Sequence, residues 1–193
     1  SIFTNKNENG IKLSDRLNTV LTNSKYFDVL VGYFRITGFY LLKEQLEDVE
    51  EIRILIGLGT DIETVKAVDI FELSGANAVH KIQEIVKEEF NSTTDDNLDM
   101  ENGVVKFCEW INSGKLKIRM CYEQNVHAKL YIIRKNPDIV PDQFGNLITG
   151  SSNFTYNGLD KNIEFNVELK DQANVQYALD FFDELWANSK DVT

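Results

Sequence analysis

Five side chains in the last third of the chain, His127, Lys129, Ser151, Asn153 and Glu164, are of types and spacings that could handle a phosphate group. His127 and Lys129 lie in the run 126–133, which is β-branched and aromatic enough to read as a buried strand. Alternation puts His127, Lys129 and Tyr131 on one face and Val126, Ala128, Leu130 and Ile132 on the other. At a rise of about 3.3 Å per residue the imidazole and the ammonium spring from points roughly 6.6 Å apart, so both can touch one phosphate-sized group. Asn146 to Thr149 reads as a second strand running into Gly150-Ser151-Ser152-Asn153, where glycine admits a close neighbour and Ser151 and Asn153 supply neutral hydrogen-bonding groups. Ile163 to Leu169 alternates more strictly than any other segment. It predicts a strand with Ile163, Phe165, Val167 and Leu169 toward the core and Asn162, Glu164, Asn166 and Glu168 as a polar stripe.

Taken in order, His127-x-Lys129, Gly150-Ser151-x-Asn153 and Asn162-x-Glu164 resemble the signature of the phospholipase D superfamily, in the form seen in its small nuclease members. A lone His-x-Lys carries no weight; the three elements in this order are specific. The resemblance covers the last third of the chain closely and the first two thirds by order of elements. Two departures stand out. The position five residues after the lysine, an acid in the family motif, is Arg134, and the interval to Gly150 is lengthened by residues 135–145, which hold both prolines, Pro137 and Pro141.

Such a site implies phosphodiester cleavage, which needs a nucleophile, a proton for the leaving oxygen and positive or hydrogen-bonding groups around the phosphoryl oxygens. His127 is the expected nucleophile, since a neutral imidazole can attack phosphorus. Lys129 brings a compact charge, Asn153 and Ser151 bring donors, and Glu164 is suited to fix the imidazole tautomer. No cofactor and no metal are called for, since no cluster of carboxylates accompanies the motif. The resemblance implies a homodimer: the family pairs two motifs across a pseudo-twofold axis, this chain has one, and His80 belongs to no second His-x-Lys. One His127 would then form a phosphohistidine and its counterpart would protonate the leaving group.

The elements that must position these residues follow from the rest of the chain. Its 193 residues suit a single domain spanning 1–193, and 42% hydrophobic residues supply ample core. Leu13, Leu17, Val20 and Leu21 predict a helix after a loose N-terminal arm. Strands are expected at 28–36, 52–58 and 116–121, and helices at 38–46 (opened by Thr37), 76–90, 100–113 and 174–188. Strands alternating with helices, then three near-consecutive strands after Cys121, give an α/β domain with a mixed sheet flanked by helices on both faces. Gly57-Leu58-Gly59-Thr60 reads as an ordinary strand-to-helix turn ahead of a phosphate cradle. Cys108 and Cys121, without paired spacing, fit a reducing compartment, and no apolar run approaches the roughly 18 residues of a membrane helix. A cytoplasmic protein is expected, and the initial Ser1 fits a fragment of something longer.

The net charge of −11 weighs against simple nucleic-acid binding. Against that, Lys115, Lys117, Arg119, Lys129, Arg134 and Lys135 are opposed locally only by Glu123, which would make a basic site on an acidic body; alternatively Lys115, Lys117 and Arg119 are the solvent face of an edge strand. Three functions are open. The first is a metal-independent phosphodiesterase acting on nucleic acid, in a setting like the domain at the front of some bacterial superfamily-two helicases and in restriction-type nucleases, which Val31-Gly32-Tyr33-Phe34 and Ile54-Leu55-Ile56-Gly57 resemble. The second is a silent nucleic-acid-binding or dimerising module of a helicase, motivated by Arg134. A lipid phosphodiesterase, the third, lacks a basic amphipathic helix or exposed apolar loop to dock a membrane.

Overall fold

The computed structural model describes residues 1–6, 10–57, 97–121 and 126–191, and within the helix at 97–112 the side chains of 103 and 105–112. Its centre is a sheet of eight strands: β1 (Ile2–Thr4), β2 (Ser24–Val31), β3 (Glu51–Gly57), β4 (Leu116–Cys121), β5 (Leu130–Lys135), β6 (Gly145–Gly150), β7 (Phe165–Leu169) and β8 (Lys190–Asp191). They lie in the order β1-β7-β6-β5-β2-β3-β4-β8. β2, β3 and β4 run parallel, and every other pairing is antiparallel. The parallel part is covered on both sides, which is why residues 27–31 of β2 read as an almost unbroken apolar run.

Among the described residues, four α-helices cover the sheet: α1 (Leu13–Leu21), α2 (Ile36–Tyr40), α3 (Asn97–Asn112) and α4 (Gln172–Ala187). Leu13, Leu17 and Leu21 of α1, Phe39 of α2 and Phe107 of α3 share one core with Phe27, Val29, Ile54, Tyr131 and Ile133. Val175, Ala178 and Phe182 of α4 share the other with Leu30, Leu55, Ile132 and Leu147. The mixed sheet with helices on both faces is therefore the observed architecture. Asp171 caps α4, its carboxylate accepting from the Asn174 amide at 3.0 Å.

Several local expectations give way to tertiary contacts. The N-terminal arm forms β1, antiparallel to β7, and the Ser1 amino group donates to the Glu168 carbonyl at 2.8 Å. Thr37 lies inside α2 instead of capping it, because its hydroxyl accepts from the Tyr156 amide at 3.4 Å; α2 ends at Tyr40, although Leu42 and Leu46 remain buried. The strand expected from Val126 joins the ladder only at Leu130. Just before it, the chain crosses the end of β3, where a Cβ on Gly57 would lie 2.1 Å from the Val126 carbonyl oxygen, an approach only glycine permits. The helix expected at 76–90, with His80, and residues 58–60 lie outside the described residues.

β7 reverses its expected faces. Ile163 and Phe165 are 75% and 55% exposed, whereas Asn166 and Glu168 are buried. The polar stripe turns inward because partners await it: Arg16 grips Glu168 through two nitrogens at 2.9 and 2.7 Å, and Asn146 Nδ2 donates to the same carboxylate at 2.7 Å. The basic run also divides. Lys115 donates to the Glu47 carbonyl, Lys117 to Glu51 and Arg119 to the Trp186 carbonyl, so these three serve the flank around β4 and not the His127 end of β5.

Candidate active site

Strand register gathers the motif residues at one edge of the sheet. Leu130 pairs with Thr149 and Gly150 with Asn166, so the start of β5, the end of β6 and the start of β7 lie side by side. Thr149 Oγ1 donates to the Lys129 carbonyl at 2.9 Å, and the Ser151 amide to the Phe165 carbonyl at 3.1 Å. Gly150 makes this convergence possible, since a Cβ there would sit 2.2 Å from the Phe165 carbonyl oxygen and 2.6 Å from Asn166 Oδ1.

The loop that follows β6 is locked by aromatic packing. Phe154 stacks on Phe34 and on Tyr131 with ring centroids 5.4 and 6.3 Å apart, and Phe34 and Phe154 form a parallel bridge. That bridge aligns the segment after β2 with the segment after β6, so the Tyr33 amide donates to Asn153 Oδ1 at 3.1 Å. Asn153 is thereby oriented with its Nδ2 group left to donate elsewhere. A short π-helix, Asn157–Lys161, closes the loop, a form of helix found often at functional sites.

Of the expected residues, Ser151 and Glu164 meet directly: the serine hydroxyl donates to the Glu164 carboxylate and accepts from the Phe165 amide. Ser151 was expected to bind substrate, yet its hydroxyl is occupied by these two partners, and Glu164 is held by Ser151 instead of by an imidazole. Asn153 and Glu164 line one pocket. Lys129 is half-buried and turns its ammonium onto the His127 carbonyl at 3.2 Å, its only hydrogen bond among the described residues. His127 is exposed on the approach to β5. Tyr131, which alternation puts on the face of His127 and Lys129, is fully buried and donates to the Ser152 carbonyl at 2.9 Å. Burial, reinforced by the Glu164 charge, pushes its hydroxyl pKa well above the ordinary value. Among the described residues no three His, Cys, Asp or Glu side chains cluster in a way that could hold a metal ion.

Other residues at this edge were given no part in the site by the sequence. Tyr33 and Arg35 line the pocket that Asn153 and Glu164 share. Asn166, fully buried beside Gly150, has neither amide atom hydrogen-bonded among the described residues. An exposed, apolar, strand-adjacent Ile163 and Phe165 flank Glu164 on both sides, a signal that a strict period-two reading assigns to the core. Arg134, the departure from the family motif, lies at the opposite end of β5 and bonds Asp28 Oδ2 at 3.0 Å. There Asp28, 1% exposed, also accepts from Arg53 at 2.6 Å. Beside the basic residue on this strand, the neighbouring β2 supplies an acid.

In fold the chain is similar to Nuc from Salmonella typhimurium, a phospholipase D family member, at a TM-score of 0.55 with 15% identity, covering 99% of this chain and 95% of that one. It is similar also to NucT from Helicobacter pylori (TM-score 0.52, 9% identity, 99% and 97% covered). A third likeness, to phosphatidylserine synthase of Haemophilus influenzae Rd KW20, has a TM-score of 0.57 and 14% identity, and covers 99% of this chain but 39% of that protein. No curated protein sequence matches. Among the described residues no helix is long and apolar enough to cross a membrane. Residues 22–186 match the family described as cardiolipin synthase, PLD-like domain, and with that span the chain belongs to the phospholipase D superfamily.

Proposed function

We propose that the chain is a phosphodiesterase acting on nucleic acid without a metal, with His127 as the nucleophile. The observation that carries this reading is the division of labour at the sheet edge: Ser151, Glu164 and Asn153 are fixed by neighbours, while His127, the Lys129 ammonium and the Asn153 Nδ2 group keep donor or nucleophile capacity for a ligand. His127 attacks phosphorus, the P–O bond to the leaving group breaks, and a phosphohistidine forms. Lys129 and Asn153 steady the charge on the phosphoryl oxygens, as prearranged donors do. Ser151 holds Glu164 in position. The proton for the leaving oxygen comes from the protonated His127 of a second chain; water then attacks the phosphohistidine, passing its proton to that second His127 as the P–N bond breaks and the phosphate product leaves.

The second chain fits the apolar flank beside Glu164, where Ile2, Ile163 and Phe165 are exposed by 67%, 75% and 55%. A solution mass of two chains is expected by sedimentation; one chain's mass across a wide concentration range would remove the shared site. Arg134 gives no reason to prefer a silent module, since its partner is Asp28. A helicase or restriction-type setting rests on the resemblance of residues 31–34 and 54–57 alone. Nuc and NucT support a nuclease-like reading only by fold.

The test is cleavage of labelled single- and double-stranded DNA in excess chelator by the protein and by His127→Ala. Chelator-resistant product that the variant fails to make is expected. Product that disappears with chelator, or that persists in the variant, would overturn the reading.

A further inference from the structure

A cavity of about 370 Å³ opens beside the proposed nucleophile's edge of the sheet, at the small end of the roughly 300–1,000 Å³ range of ligand sites. Asn153 and Glu164 form one wall; Tyr33, Arg35, Thr155, Tyr156, Asn157 and Asn162 are among the residues that line the others. Its walls are hydroxyls, amides, two phenols, one guanidinium and the Glu164 carboxylate, which Ser151 engages, a lining that suits a polar, aromatic-tolerant ligand and offers nothing to an acyl chain.

The walls are prefixed. Thr37 Oγ1 ties the Tyr156 amide to α2, the Arg35 amide donates to the Phe154 carbonyl at 2.9 Å, and Thr155 Oγ1 accepts from the Gly158 amide at 2.9 Å. Arg35 is itself aligned: its guanidinium lies 5.0 Å from the Tyr33 ring centroid and donates to the Tyr33 hydroxyl at 2.6 Å. A planar guanidinium held on an aromatic face is suited to recognise phosphate. Tyr156, with Lys161 5.5 Å from its ring centroid, supplies a second aromatic face at the mouth. Preformed walls reduce the ordering that a ligand must impose on binding.

We propose that this pocket is a nucleotide subsite: Arg35 binds the phosphodiester next to the scissile one, and the intervening nucleoside lies against Tyr33 and Tyr156. The pocket shares Asn153 and Glu164 with the reacting edge, so a chain whose scissile phosphate sits on Lys129 and Asn153 enters it directly. This assignment rests on the nucleic-acid phosphodiesterase reading and makes cleavage depend on a flanking nucleotide, not on the phosphate alone.

Two substrates and three variants test it. Bis(p-nitrophenyl) phosphate offers a phosphodiester without a neighbour; a fluorescein-labelled hexadeoxynucleotide offers both. Arg35→Gln is expected to raise the KM for the oligonucleotide at least tenfold and lower the ratio of kcat/KM, oligonucleotide over small diester, at least tenfold, with Arg35→Lys recovering part of the loss. Asn157→Ala, at an exposed position of the wall, is expected to lower that ratio several-fold and carries the test should Arg35→Gln fail to fold. Equal losses on both substrates, or none, would overturn the subsite. Binding of the hexanucleotide, followed by fluorescence anisotropy, separates this idea from the one it rests on. If neither substrate is cleaved yet Arg35→Gln weakens hexanucleotide binding tenfold, the subsite stands and the phosphodiesterase reading falls. If the protein binds phosphatidylglycerol vesicles and not the hexanucleotide, the subsite falls.

Discussion

The two ends of β5 carry basic residues in opposite circumstances. At the far end Arg134 is bonded to buried Asp28 and lies 4.2 Å from the Tyr26 ring centroid, and Lys135 donates to the carbonyls of Val20 and Thr22 at 2.5 and 2.8 Å. Burial, with some help from Arg16 and against Glu168, lowers the Lys135 pKa. At the near end the Lys129 ammonium has the His127 carbonyl as its only hydrogen-bond partner among the described residues, and His127 is exposed. Charges that are consumed by neighbours hold the strand in place; charges with spare capacity at an open edge are left for a ligand. A buried carboxylate between two guanidiniums is costly to break, and an exposed imidazole is cheap to remove, so stability and chemistry should separate along a single strand.

The sharpest break is made at the near end. His127→Ala, which removes both the nucleophile and the leaving-group acid, is expected to lower the rate of cleavage by roughly 10⁴-fold or more while leaving the urea midpoint of unfolding unchanged. A parallel loss of stability would merge the two ends. At the far end Asp28→Ala leaves Arg53 and Arg134 without their shared carboxylate and is expected to cost about 3–5 kcal/mol of unfolding free energy. Arg134→Asp, which restores the family's acid, sets two carboxylates side by side and is expected to destabilise by a similar amount without raising activity. An active, stable Arg134→Asp variant would show that the far end takes part in catalysis.

Acid sharpens the contrast further. Burial works to raise the Glu168 pKa, but the Arg16 guanidinium overrides it, and the carboxyl lies below its usual range. Its ionised form therefore adds stability above the unfolded value of about 4.3, and this is lost as pH falls through the lower folded value. Thermal unfolding from pH 6 to pH 3 should show a declining Tm, and Glu168→Gln, less stable at pH 7, should decline less; parallel declines would exclude Glu168 as a source. The smallest effect is expected remote from both ends: Asp171→Ala removes the cap of α4 and should cost about 1 kcal/mol by urea titration.

Much of this arrangement was legible in the sequence because it is local. Leu13, Leu17, Val20 and Leu21 mark α1 by spacing alone, β4 occupies the expected residues 116–121, and the alternation of strands and helices forecasts the mixed sheet covered on both faces. The motif order singled out residues that the fold brings to one edge. What stayed hidden depends on distant partners. The inward turn of Glu168 requires Arg16, 152 residues away, and Arg134 is understood only beside Asp28, 106 residues earlier. Tyr33 and Arg35 reach the site because Phe34 and Phe154 pair across the sheet edge, a contact that no period in either segment announces. Alternation shows that β7 has two faces; it cannot say which one finds partners inside.

The most direct measurement is to trap the covalent intermediate. The protein is mixed with a short oligonucleotide in excess chelator, quenched in alkaline denaturant, digested and analysed by mass spectrometry. A phosphoryl-linked adduct on the peptide containing His127, absent from His127→Ala, is the expected result. Product formed with no adduct on His127, or with the adduct on another residue, would contradict the assignment of that histidine as nucleophile.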